Sequence, residues 1–119
     1  MSLVLAMLAV TATCVPSDAP KLTKLEVATG FFAAFNGGDQ AGMGSFIKPG
    51  ALMIRGPGES MELASLLSNV PPDARIEVTD MKLDDAGNVV VHSRDDQGHE
   101  TMGMIKLEGG CISEISHQG

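Results

Sequence analysis

The chain has 119 residues, a length that predicts a single domain. Its formal net charge of −7 argues against electrostatic binding to nucleic acid or to an anionic membrane surface. Apolar residues make up 44% of the chain, which is enough for a core. Tyr and Trp are absent, so four Phe and eight Met must fill the interior.

An uncharged apolar stretch opens the chain at residues 3–10 and leads into a segment of small residues before Cys14. This pattern is typical of a secretory signal peptide with its cleavage site at residues 10–12, although no positive charge precedes it. The stretch is too short to span a bilayer. Once this leader is removed, we expect no stable insertion of the protein into a membrane. We expect residues 1–20 to form a leader and short linker, and residues 21–119 to form the domain.

The leader predicts an exported protein, either periplasmic or secreted. The alternative is that the stretch is an apolar first element of the domain, in a cytoplasmic protein. Cys14 and Cys111 could pair in an oxidising compartment, but the preferred interpretation of Cys111 is a small buried hydrophobe. The three His residues lack metal-ligand spacing, so the sequence predicts no metal site and no cofactor.

Local signals predict three helices in the first part of the domain. Thr23 and Glu26 match a capping box and begin a long helix over residues 21–36, with an apolar stripe that includes Phe32. Asp39 is a natural N-cap for a short helix that ends near residue 48. A strand is expected at residues 51–55, and Ser60 is expected to cap a third helix that ends before residues 71–72.

The second half reads as a meander of β-strands joined by glycine-containing turns. A change of phase near Thr79 and Asp80 predicts a β-bulge. We assume two-residue turns, and the strand alternation then assigns residues to faces. One face receives Val89, Val91, Ser93, Met102, Met104, Ile115 and His117, and the other receives Met81, Leu83, Val90, His92, Arg94, Ile105, Ile112 and Glu114. Both faces hold apolar residues, so we expect helices on one face and a second subunit on the other, in a homodimer.

The order of these elements and two segments carry a family resemblance. Residues 31–39 read FFAAFNGGD, and residues 104–112 read MIKLEGGCI. The chain resembles the nuclear transport factor 2-like superfamily, also called the polyketide-cyclase-like or cystatin-like α+β cone. The resemblance implies a curved antiparallel sheet packed on a long N-terminal helix and two shorter helices, with a conical pocket between them.

Isomerases of this superfamily place a catalytic Asp at the end of the first strand and use a nearby Tyr. Residues 53–57 of this chain contain no acid, and the chain has no Tyr. That mechanism needs a base and an acid or oxyanion donor poised together, so the activity is not carried over. The resemblance leaves open a SnoaL- or ketosteroid-isomerase-like isomerase, dehydratase or hydrolase that uses His92 with Arg94 or Arg55.

Arg55 could hold an anionic group, with a solvated strand-end arginine as the alternative. His92 could act as a general base, with a structural or surface histidine as the alternative. The expected function is binding of a small apolar or amphipathic ligand, and a dimerisation or interaction module is a further alternative. The candidate pocket residues are Phe32, Met53, Arg55, His92, Arg94 and Met104.

Overall fold

The computed structural model describes residues 10–16, 22–71 and 73–118. Over these residues a six-stranded sheet packs against three helices, which is the predicted α+β class. The elements in chain order are α1 Lys24–Asn36, α2 Gln40–Ser45, β1 Ile47–Gly56, β2 Glu59–Glu62, α3 Leu63–Ser68, β3 Ile76–Leu83, β4 Val89–Asp95, β5 Glu100–Glu108 and β6 Cys111–Gln118. No helix within these ranges is both long and apolar enough to cross a membrane.

The strands lie in the order β2-β1-β6-β5-β4-β3, so the last four form the predicted meander. Every neighbouring pair is antiparallel except β1 and β6, which are parallel. The sheet is therefore mixed, where a wholly antiparallel sheet was expected. Parallel neighbours need a long crossover connection, and the chain supplies it by passing through α3 to the far edge and returning strand by strand to β1.

Helix α1 begins at the predicted capping box. The backbone N–H of Glu26 donates to Thr23 Oγ1 at 3.1 Å, and the backbone N–H of Thr23 donates to Glu26 Oε1 at 2.8 Å. The helix buries Val27, Ala28 and Phe31. These side chains pack with Val89, Val91 and Ile105 in one core, so α1 covers one face of the sheet. We call the helix-covered face the inner face and the opposite one the outer face.

Asp39 caps α2 as predicted, because its Oδ1 accepts a hydrogen bond of 2.9 Å from the Gly42 N–H. The prediction that Ser60 caps the third helix is wrong. Ser60 lies in β2, where its backbone pairs with Ile54, and α3 begins only at Leu63. Pairing with β1 overrides the local capping signal, because strand pairing satisfies the backbone groups that a helix cap would otherwise satisfy.

The N-terminal segment 10–16 packs onto the domain. The backbone N–H groups of Thr13 and Cys14 each donate a 3.0 Å hydrogen bond, to the carbonyl oxygens of Gly44 and Ile47 respectively. Val10 is buried in the core, and Cys14 forms a disulfide with buried Cys111. The packed unit therefore reaches back to Val10. Residues 1–9 and 17–20 of the expected leader lie outside the described residues, and the leader stays a prediction.

Two turns differ from the expected two-residue loops. Leu83 pairs with Val89 and Arg94 pairs with Glu100, so three residues close each loop, at 85–87 and 96–98. Each loop ends in a glycine with positive φ, Gly87 at 80° and Gly98 at 85°. This is the type I turn followed by a left-handed residue that three-residue hairpins prefer. The third turn has two residues, at 109–110, as predicted.

The extra turn residue reverses the assignment of some side chains, because strand side chains alternate between faces. Ile105 pairs with Val89 and lies on the inner face, while Met102 and Met104 pair with His92 and Val90 and lie on the outer face. Met81 and Leu83 likewise join Val91 and Val89 on the inner face. The predicted bulge between Val78 and Asp80 is confirmed.

Candidate functional site

A cavity of about 140 Å³ lies between α1 and the inner face of the sheet. Its wall comes from one helix and five strands, so no single element defines it. The lining residues are Phe32, Met53, Ile76, Val91, Ser93, Thr101, Gly103, Ile105, Ile115 and His117, together with Met102 and Ser116, whose side chains lie on the outer face by strand alternation.

The deep part of the cavity is apolar. Val91 and Ile105 belong to the buried core, and Met53 is the register partner of Ile115 on the neighbouring strand. The ring of Phe32 contacts that of Phe31 edge to face, with centroids 5.4 Å apart. Because Phe31 is buried in the core, this contact holds Phe32 at the cavity.

One end of the cavity carries polar side chains. Ser93 and Thr101 are register partners on β4 and β5, and their hydroxyl oxygens are 3.0 Å apart, in hydrogen-bonding distance. His117 is the register partner of Gly103, which is the next inner-face position after Thr101 along β5. Thr101 and His117 are exposed, which makes this end the mouth of the cavity.

Two predicted pocket residues, Phe32 and Met53, line this cavity. Three others, His92, Arg94 and Met104, lie on the outer face. Arg94 faces Glu77 at 3.5 Å, and the carbonyl oxygen of His92 accepts a 3.1 Å hydrogen bond from Thr79 Oγ1.

Arg55 is exposed and borders a shallow surface depression with Glu59, Ser60 and Met61 in the β1–β2 hairpin. The proposed partners of His92 therefore do not meet it in the cavity. His92 and Arg94 project from the face that α1 does not cover, and Arg55 lies beyond Met53 along β1.

Sequence reasoning did not select Ser93, Thr101 or His117 as site residues. Strand alternation did place Ser93 and His117 on one face with Val91, and that face proves to be the inner one. Thr101 follows once the loop at 96–98 is read as three residues. The signal was the Asp-Asp-x-Gly pattern, which occurs at both three-residue turns, at residues 84–87 and 95–98.

The turn below the mouth is held by Asp95. The backbone N–H of His99 donates to its carboxylate, and this bond lowers the pKa of Asp95 below the ordinary aspartate value. Within the described ranges no group of three or more His, Cys, Asp or Glu side chains is placed to hold a metal ion.

No family model matches the chain, and no curated protein matches it. Several solved structures do match the chain. A cystatin-fold protein from Novosphingobium aromaticivorans is 18% identical with a TM-score of 0.68, covering 82% of this chain and 99% of that one. An NTF2-like protein from Cytophaga hutchinsonii is 15% identical with a TM-score of 0.67, covering 83% and 91%.

A candidate polyketide cyclase from Sinorhizobium meliloti is also similar, at 15% identity and a TM-score of 0.65, covering 87% of this chain and 99% of that one. The three proteins share an architecture with this chain at low sequence identity. The chain therefore has the NTF2-like, cystatin-type α+β fold that its sequence resembles.

Proposed function

We propose that the protein binds a small apolar or amphipathic molecule in the cavity between α1 and the inner face. The observation that carries the proposal is the cavity itself, with an apolar interior and polar side chains at one end. Ligand sites commonly combine apolar walls with a few placed polar groups. The fold supports the proposal, since it is shared with a protein named as a candidate polyketide cyclase.

Methyl signals of the Met residues provide the test, because the chain has eight Met and one of the cavity residues is Met53. Titration with toluene or hexanol should shift the Met53 methyl resonance in a saturable manner. The Met104 methyl group, on the outer face, should not respond. An absence of saturable change at Met53 with either compound would overturn the proposal.

A cavity-filling variant sharpens this experiment. Ile115→Phe adds volume at the cavity wall and should weaken toluene binding at least about tenfold, since an overfilled site must exclude the ligand or distort. Ile54→Phe makes the same change on the neighbouring strand toward the outer face, and should leave binding unchanged. Equal effects of the two variants would place the ligand elsewhere.

An enzymatic role is the second candidate, and His117 is the observation that favours it. General acid–base catalysis needs a titratable group within reach of the substrate. Among the cavity-lining residues that the structure describes, His117 is the one such group. A catalytic role would therefore rest on His117 at the mouth, because the side chain of His92 lies on the opposite face of the sheet.

Export of the protein is part of the same proposal. Disulfides persist in oxidising compartments, so the Cys14–Cys111 bond supports a periplasmic or secreted location. Val10 is buried and its N–H donates to Ser68 Oγ at 2.9 Å. A mature chain that keeps Val10 would retain this packing, which favours cleavage before residue 10 over the site expected at residues 10–12.

A further inference from the structure

The size of the cavity limits what can occupy it. Its volume is about 140 Å³. An engineered apolar cavity of about 150 Å³ in another protein binds benzene, whereas pockets for drug-sized ligands measure about 300–1,000 Å³. A molecule of one ring, or an equally small chain, matches the space. A polycyclic molecule does not.

Gly103 creates part of that space. On the inner face it lies in register between Val91 and His117, both of which border the cavity. Among the atoms of the described residues, a Cβ atom added at Gly103 would have one neighbour within 4 Å, the backbone oxygen of Ser116 at 3.2 Å. The missing side chain therefore leaves room above the middle of the sheet, next to the polar mouth.

The polar groups at the mouth suit a neutral hydrogen-bonding partner. Two hydroxyl groups that share one hydrogen bond, as Ser93 and Thr101 do at 3.0 Å, still retain one O–H donor and several lone pairs. None of the described residues that line the cavity is Lys, Arg, Asp or Glu. A charged ligand group would lack an opposite fixed charge there, and an unpaired charge is costly to remove from water.

Building on the proposed function, we propose that the natural ligand is a neutral molecule of single-ring size with one hydroxyl or carbonyl group. Its apolar body lies against Val91, Ile105 and Ile115, and its polar group hydrogen bonds to the Ser93–Thr101 hydroxyl pair. The ligand enters at the end of the sheet where His117 stands. In this proposal Gly103 sets the size of the ligand that fits, and the two hydroxyl groups select a ligand with a polar group.

The test compares phenol, toluene and 2-naphthol, followed by the Met53 methyl resonance. The absence of Trp and Tyr also lets phenol fluorescence be read without an intrinsic background from those residues. Wild-type protein should bind phenol and toluene. The double variant Ser93→Ala/Thr101→Val should weaken phenol about three- to tenfold, the usual effect of one lost hydrogen bond, and change toluene binding less than about twofold.

The control variant Thr79→Val/Ser113→Ala also removes two hydroxyl groups, at positions outside the cavity lining, and should leave both ligands unaffected. 2-Naphthol should not produce a saturable shift at Met53. Equal weakening of phenol and toluene, or none, would overturn the role of the hydroxyl pair, and 2-naphthol binding as tight as that of phenol would overturn the size limit. Failure of both phenol and toluene would instead overturn the proposed function itself.

Discussion

The carboxylate of Asp95 accepts 2.9 Å hydrogen bonds from the backbone N–H groups of Gln97 and His99, and its other oxygen is 3.1 Å from His99 Nδ1. Asp84 repeats the arrangement one hairpin earlier, with 2.9 Å bonds from Ala86 and Asn88. In each turn the side chain satisfies backbone donors that the hairpin ladder leaves open, which is the usual role of Asp at such positions.

Replacing Asp95 with Ala should therefore lower the thermal midpoint at neutral pH. The His99 N–H holds the folded-state pKa of Asp95 below its unfolded value. A depressed pKa gives stability that is present above the unfolded pKa and is lost as pH falls through the folded pKa. The difference in midpoint between wild type and Asp95→Ala should thus shrink from neutral pH toward acid, and thermal unfolding at a series of pH values would measure it.

Asp96 provides a matched control, because it is an acidic residue of the same turn and is exposed. Asp96→Ala should change the midpoint little at any pH. If both variants lost the same stability, or if the Asp95→Ala deficit persisted unchanged in acid, the hydrogen bonds of the Asp95 carboxylate would not be the cause.

At the scale of elements, the close approach of segment 10–16 to α2 explains a glycine that weakens the helix. A Cβ atom on Gly44 would collide with the backbone oxygen of Thr11, in the segment that also hydrogen bonds to Gly44 through Thr13. Gly44→Ala should lower the free energy of unfolding by about 1–3 kcal/mol, as overpacking usually does. Urea unfolding would measure the change.

Gly56→Ala serves as the comparison, since a Cβ atom at Gly56 would have no neighbour within 4 Å in the part of the chain that the structure describes, and its φ is not positive. It should be nearly neutral. In the reduced protein the segment is no longer tied to Cys111, so it can yield to the added methyl group. The cost of Gly44→Ala should then be smaller, and an undiminished cost would mean that the clash is not with this segment.

The elements that could be predicted from the sequence are those whose signals are local. The capping box at Thr23 and the Asp39 cap involve groups three residues apart, and the turn at 109–110 depends on two adjacent glycines with positive φ. Strand β2 could not be predicted, since its four residues are all exposed and only its pairing with β1 defines it. The parallel pairing of β1 with β6 joins segments that are distant along the chain.

Candidate site residues were more difficult to predict from the sequence, because each assignment depends on which face of the sheet the side chain occupies. One additional residue in the loop at 96–98 transfers Met104 to the outer face and Thr101 to the inner face. Phe32 and Met53 line the cavity, and the position of neither depends on that loop. The choice between His92 and His117 required knowing which face α1 covers, and only the packing of α1 against Val89 and Val91 decides it.

For the whole molecule, the outer face of the sheet bears on the oligomeric state. Met102 and Leu52 are 36% and 39% exposed, and Val90, Ile54 and Met104 are half-buried on the same side of the sheet. Exposed apolar side chains grouped on one sheet face are typical of a protein–protein interface, and this face also carries the Lys106–Glu114 ion pair beside Leu52. We expect a second copy of the chain to cover it, which would also bury His92 and explain an outer-face histidine without catalysis.

Sedimentation velocity should accordingly give twice the mass of the chain. Met104→Lys places a charge between Val90 and Ser116 near the centre of the outer face, and should weaken the dimer by at least about 2 kcal/mol, the scale of a central interface residue. Met61→Lys makes the same change at an exposed position on the edge strand β2, register partner of the inner-face Met53, and should leave the dimer intact.

A monomeric wild type, or equal dissociation of both variants, would mean that the outer face is not a self-association surface. The cavity opens on the inner face, so the toluene affinity of Met104→Lys should equal that of wild type even when the dimer is lost.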